Sequence, residues 1–118
     1  MKMDNVLNDF LVSFSILLLV HYIADFWAQT HWQATNKSKS NYALSRHVFV
    51  YSLFLLPWGL GFALLNGVLH IVTDYFTSRI SSKYFQKGDY KKGFATVGLD
   101  QLIHSYCLII TLYYIGKF

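Results

Sequence analysis

One cysteine, one proline and a charged fraction of only 14% are what this 118-residue chain has least of, and each shortage removes a class of protein. Cys107 can form no internal disulfide and has no second thiol at metal-ligand spacing, so a disulfide scaffold and a sulfur-rich structural zinc site are both excluded. It reads instead as a small core residue. No Gly-x-Ser-x-Gly element occurs, which disfavours covalent acyl catalysis. The net charge of +4 comes from lysines and arginines scattered through two polar segments rather than gathered in one stripe, so a nucleic-acid partner is not expected.

What the chain does have is apolar mass. It is 54% hydrophobic and 19% aromatic, a composition suited to the bilayer rather than to water. The fold class expected is all-α, a single integral membrane bundle of four transmembrane helices over residues 10–28, 42–57, 60–78 and 95–115. The run from Leu11 to Val20 could pass for a secretory signal, but Asp4 and Asp9 precede it and no small-x-small cleavage site follows, so it reads as a retained first span. The apolar stretch from Tyr42 to Tyr75 is too long for one crossing and is broken by Pro57-Trp58-Gly59, read as a hairpin turn. The polar stretch Thr30–Ser45 and the basic stretch Arg79–Lys92 read as loops.

Those two loops, with Arg46 bordering the first, carry Lys37, Lys39, Arg79, Lys83, Lys87, Lys91 and Lys92, leaving only Lys2 and Lys117 elsewhere. The positive-inside rule then places both loops in the cytoplasm and both termini outside, in the inner (cytoplasmic) membrane. Trp27 and Trp32 at the inner boundary, with Trp58, Tyr113 and Tyr114 at the outer one, fit aromatic belts.

Within the spans, His21-x-x-x-Asp25, His70-x-x-x-Asp74 and Asp100-x-x-x-His104 share one spacing, and His47 joins them from the second span. A separation of four puts both side chains of a pair on one helix face. All seven fall at the cytoplasmic half if Pro57 marks a hairpin; in one continuous helix His47 and His70 would stand about 35 Å apart at 1.5 Å per residue. An aspartate at mid-bilayer costs about 2.5–3.5 kcal/mol, so three of them call for compensation. A divalent metal supplies it. Imidazole and carboxylate donors suit zinc first, with iron or manganese as alternatives, and seven ligands would fill a dinuclear site or one metal with supporting carboxylates. The opposing reading of each pair is a hydrogen-bonded packing pair.

The candidate metal ligands are therefore His21, Asp25, His47, His70, Asp74, Asp100 and His104, with Asp25 and Asp100 as candidate catalytic carboxylates. Gln29, Lys37, Arg46 and Gln101 are candidate substrate contacts, His31 an interfacial loop residue, and Ser13 and Asn66 helix-packing polar residues. The activity expected is metal-dependent hydrolysis of a lipid or lipid-linked phosphate, the metal activating water and polarising the phosphoryl or acyl oxygen. The alternatives are a metal or proton transporter or sensor using the same residues, and a small phage-type effector whose polar cluster only holds four helices together. Membrane lipid is the expected partner, and a bundle this small could pair with a copy of itself.

The phrases His21-x-x-x-Asp25-Phe26-x-x-Gln29, Lys37, His47, His70-x-x-x-Asp74 and Asp100-Gln101-x-x-His104 resemble a bacterial and phage family of small multi-pass membrane proteins, domain of unknown function 3307. The likeness runs from His21 to His104. It implies a membrane fold and the polar set, and names no reaction. The repeated His-x-x-x-Asp pairs alone are similar to those of membrane proteins described as candidate metal-dependent hydrolases, an analogy at the level of motif.

Overall fold

A computed structural model gives the chain as helices throughout the described residues, with no strand among them. It describes residues 3–117, and at 31, 34 and 35 the backbone alone, so Lys2 and the His31 side chain lie outside the described residues. Helix α1 (Met3–Tyr22) runs into a π turn (Ile23–Trp27), and short α2 (His31–Asn36) leads to α3 (Asn41–Phe54). A 3-10 turn (Leu56–Trp58) then connects to α4 (Leu60–Gln86), which is followed by α5 (Tyr90–Ile115).

Local chemistry accounts for the boundaries. Thr30 and Gln33 form a reciprocal capping box that starts α2: Gln33 N–H donates to Thr30 Oγ1 and Thr30 N–H to Gln33 Oε1, each at 3.1 Å. Ser40 Oγ caps α3 by accepting from Ala43 N–H at 3.3 Å. Pro57 cannot continue α3, and Gly59, at φ 118°, adopts a backbone that favours glycine and turns the chain back.

Two segments expected as loops are more ordered than their composition suggested. Thr30–Ser45 contains α2 and the start of α3, and Arg79–Lys92 is helical except at the tip between Gln86 and Tyr90. At that tip the Phe85 ring packs against Phe94 and Tyr90, with centroids 5.1 and 6.1 Å away, in space left by side-chain-free Gly93. The aromatic seal extends the α4–α5 hairpin beyond its apolar segments, and its lysines simply face outward.

Neighbouring helices run antiparallel. Asn41, His47 and Ser52 of α3 meet Arg79, His70 and Gly67 of α4; Thr77 and Asn66 of α4 meet Asp100 and Thr111 of α5. Helix α1 closes the bundle: Ser13 accepts from Trp58 Nε1 at 2.8 Å, and His21 meets Gln101 on α5. Leu17, Leu55, Phe62, Ala63, Leu108 and Leu112 fill the half of the interior nearer the Pro57 turn. Among the described residues, three helical stretches are long and apolar enough to cross a membrane: Met3–Trp27, Leu60–Gln86 and Tyr90–Ile115. Large apolar side chains such as Leu19, Phe49, Leu64 and Val68 are exposed while histidines and aspartates are buried, the reverse of a water-soluble surface.

Gly67 marks a close approach of α3 and α4, where a β-carbon would run into the Ser52 hydroxyl. Rotation of Ser52 can admit a methyl group, whereas a branched chain needs the helices to separate. Gly67→Leu is expected to lower stability by about 1–3 kcal/mol, read by chemical unfolding in micelles; unchanged stability would show that the two helices are not tightly packed there.

Candidate metal centre

Each polar residue reaches the centre because of its place on a helix. His70, Asp74, Thr77, Ser78 and Ser81 recur at the spacing of one α4 face, Asp100 and His104 do the same on α5, and His47 and Tyr51 on α3. The hairpin at Pro57 brings His47 Nε2 to 3.2 Å from His70 Nε2. All seven histidines and aspartates named from the sequence are buried.

Four of them converge tightly. Asp25, His47, His70 and Asp74 each offer a donor atom within 4.8 Å of the others. His47 Nε2 lies 2.9 Å from Asp25 Oδ1 and 3.5 Å from Asp74 Oδ2, while His70 Nε2 lies 3.1 Å from Asp74 Oδ2 and 3.5 Å from Asp25 Oδ1. A tetrahedral ion with bonds of about 2.0–2.1 Å needs donors about 3.3–3.4 Å apart. These separations bracket that value, so the four residues could hold a metal ion with little rearrangement. The buried Nδ1 atoms of His47 and His70 have no hydrogen-bond partner among the described residues, so neither imidazole is committed through its outer nitrogen to another role.

A second group adjoins the first. Asp25, Asp100 and His104 also lie within 4.8 Å of one another. His104 Nε2 is 3.1 Å from both Asp100 Oδ1 and Asp74 Oδ1, so Asp74 serves the first group through one oxygen and meets His104 through the other. Thr77 Oγ1 donates to Asp100 Oδ1 at 2.5 Å. The rings of Tyr51, His70 and His104 stack at centroid distances of 4.0 and 4.1 Å, which fixes the orientation of the imidazoles.

His21 belongs to neither group, although its spacing from Asp25 matches that of the other pairs. The π turn is the reason. Its i+5 hydrogen bond, Ala28 N–H to Ile23 O at 2.8 Å, changes the helical register. His21 Nε2 and Asp25 Oδ2 stand 3.9 Å apart, against 3.1 Å for the closest approach in the other two pairs. Asp25 turns to His47, and His21 supports from behind. Gln101 Oε1 can only accept, so His21 Nε2–H donates to it at 2.9 Å, and Nδ1 of the neutral ring accepts from the Tyr51 hydroxyl at 2.7 Å. Gln101 Nε2 in turn donates to Asp25 Oδ2 at 2.8 Å and Asp100 Oδ2 at 3.1 Å.

A polar cavity of about 80 Å³ opens onto the groups, lined by Asp25, Lys37, Asp74, Ser78, Asp100 and Gln101 among others. Lys37 Nζ lies 3.5 Å from Asp74 Oδ2. Of the other proposed substrate contacts, Arg46 is exposed, donates to the Tyr42 hydroxyl and does not line this cavity, while Gln29 Oε1 is buried with no hydrogen-bond partner among the described residues. Ser13 and Asn66 bridge helices as packing residues, Asn66 donating to Thr111 Oγ1 at 2.9 Å.

This cluster lies within the region matched by the profile of a family described as Protein of unknown function (DUF3307), residues 13–117. The chain belongs to that family. No curated protein and no solved structure matches it. The region matched contains every donor from His21 to His104, as well as Tyr51, Thr77, Ser78 and Ser81, which sequence reasoning passed over. Their signal was their position: Tyr51 lies one turn after His47, and the α4 hydroxyls continue the face begun by His70 and Asp74.

Tyr51→Phe keeps the stack on His70 but leaves His21 Nδ1 without its donor. A loss of about 0.5–1.5 kcal/mol is expected, measured by denaturant titration in micelles, with metal content unchanged. Loss of metal from this variant would instead make the hydroxyl part of the binding site itself.

Proposed function

We propose that this DUF3307 chain is a membrane-embedded, zinc-dependent hydrolase acting on a lipid or lipid-linked phosphate at the cytoplasmic interface. The observation that carries this reading is the set Asp25, His47, His70 and Asp74, whose donor atoms lie within 4.8 Å of one another and whose two carboxylates line the cavity. Two nitrogen and two oxygen donors at these separations suit zinc, and iron or manganese would accept the same atoms. The adjoining Asp25, Asp100 and His104 offer room for a second ion.

Bound there, the ion would act as a Lewis acid toward a phosphoryl oxygen and make a nearby water more acidic. The chain supplies the rest. Lys37 brings a cation to the cavity wall, suited to an anionic phosphate. Asp100, outside the four-donor set but facing the same cavity, is placed to take the proton of an attacking water; Thr77 and Gln101 orient it.

The membrane reading takes all four long helices as spans, with α3 the short one. The end of the bundle that holds the cluster also carries Lys37, Lys39, Arg79, Lys83, Lys87, Lys91 and Lys92, which favours the cytoplasmic side. Transport is the weaker reading, because beyond the cluster the interior is filled by Leu17, Leu55, Phe62, Leu108 and Leu112, and the polar groups Ser13 and Asn66 are already paired.

The test is release of inorganic phosphate by zinc-loaded protein in micelles, from phosphatidic acid and from a soluble phosphate monoester, with a chelator control. Chelator-sensitive release supports the hydrolase. Stoichiometric zinc with no release from either substrate, and metal flux in sealed vesicles, would replace it with transport.

A further inference from the structure

A second surface feature lies on the outer side of α3 and α4, away from the cavity just described. A groove of about 260 Å³ runs between Leu44 and Ser45 on one helix and Ile71, Val72, Tyr75 and Phe76 on the other. None of these residues lines the polar cavity. The groove is apolar along most of its length but ends in a fixed cation. The Arg79 guanidinium carbon sits 3.8 Å above the centre of the Tyr75 ring, Nη1 donates to Tyr75 O at 3.0 Å, and Nη2 donates to Asn41 Oδ1 at 2.9 Å. Asn41 and Tyr75 are themselves groove walls, so the guanidinium is held at the groove's head.

We infer that this groove is a binding site for one anionic phospholipid, with its phosphate on Arg79 and an acyl chain along Leu44, Ile71, Val72 and Phe76. These two bonds use two of the five guanidinium donors, and the stacked, hydrogen-bonded geometry lowers the ordering cost of binding a phosphate. Lys83, exposed one turn further along α4, adds a second positive charge on the same side and favours a net-negative headgroup over a zwitterionic one. A protein partner fits poorly, since a stable interface takes about 800 Å² and about 20–30 residues per partner, and seven residues line this groove. The site rests on the membrane placement above and is independent of the metal.

The experiment is native mass spectrometry of the micelle-purified protein, exposed to equal amounts of phosphatidylglycerol and phosphatidylcholine with identical acyl chains. Phosphatidylglycerol is expected to be retained about fivefold over phosphatidylcholine, the weight of one basic residue on an anionic lipid. Arg79→Gln should bring that ratio close to one. Val72→Trp, at an exposed position, should reduce retention of both lipids by filling the slot. Lys91→Gln, on α5, should change nothing. Equal retention of the two lipids by the parent, or undiminished selectivity in Arg79→Gln, overturns the inference, as does displacement of the lipid by inorganic phosphate. Recovery of the chain in the aqueous phase without detergent would sink the membrane placement, a separate outcome.

Discussion

Asp74→Ala is expected to strip the protein of its metal. Purified in micelles and passed through a desalting column, the parent should carry about one zinc per chain by elemental analysis, and the variant less than about a tenth of that. Loss of groups that merely support a ligand costs about 10–100-fold in affinity, and removing a donor should cost more. Asp74 engages four side chains: Oδ2 lies 3.1 Å from His70, 3.5 Å from His47 and 3.5 Å from Lys37, while Oδ1 meets His104. Its removal takes one donor from the four-residue set and a carboxylate partner from His104 of the second group. Because the residue is buried, folding must be followed by circular dichroism, and Asp74→Asn provides a variant of the same shape. A parent that is folded but free of zinc, iron and manganese after growth and loading with each would leave the cluster a structural device.

Asp100→Asn should separate chemistry from metal binding. The asparagine keeps the size of the side chain and can still accept from Thr77, but it has no carboxylate to take a proton. Metal content should stay within about twofold of the parent while the rate of phosphate release falls about 10²–10⁴-fold, the usual weight of a general base. Initial rates and elemental analysis on one preparation decide it. If metal and rate disappear together, Asp100 is a ligand, and the group it forms with Asp25 and His104 holds an ion of its own.

Much of the cluster was legible because helical spacing is rigid. His70 with Asp74, and Asp100 with His104, share a face by geometry alone, and Pro57-Trp58-Gly59 told where the chain reverses so that His47 could meet His70. His21 was not separable from the ligands in this way. Its spacing to Asp25 is the same, but the π turn over Ile23–Trp27 changes the register, and no residue type in that stretch signals such a turn. Side-chain partners reached from another helix were also hidden, as with the Tyr51 hydroxyl on His21 and Gln101 between Asp25 and Asp100. Composition misled at Arg79–Lys92, where charge suggested a loop and Phe85 over Gly93 instead holds a helical hairpin.

Helix α3 has 14 residues, about 21 Å at 1.5 Å per residue, beside neighbours of 25 to 27 residues. A hydrocarbon layer is about 30 Å thick, so if α3 crosses a bilayer together with its neighbours, as proposed above, its flank is too thin for the lipids that touch it. Those lipids would compress or lean, and the surface would dimple there. Water and polar headgroups would then descend toward the level of His47 on one side only, which would shorten the path from the aqueous phase to the cluster. The same mismatch would draw the protein toward thinner regions of membrane.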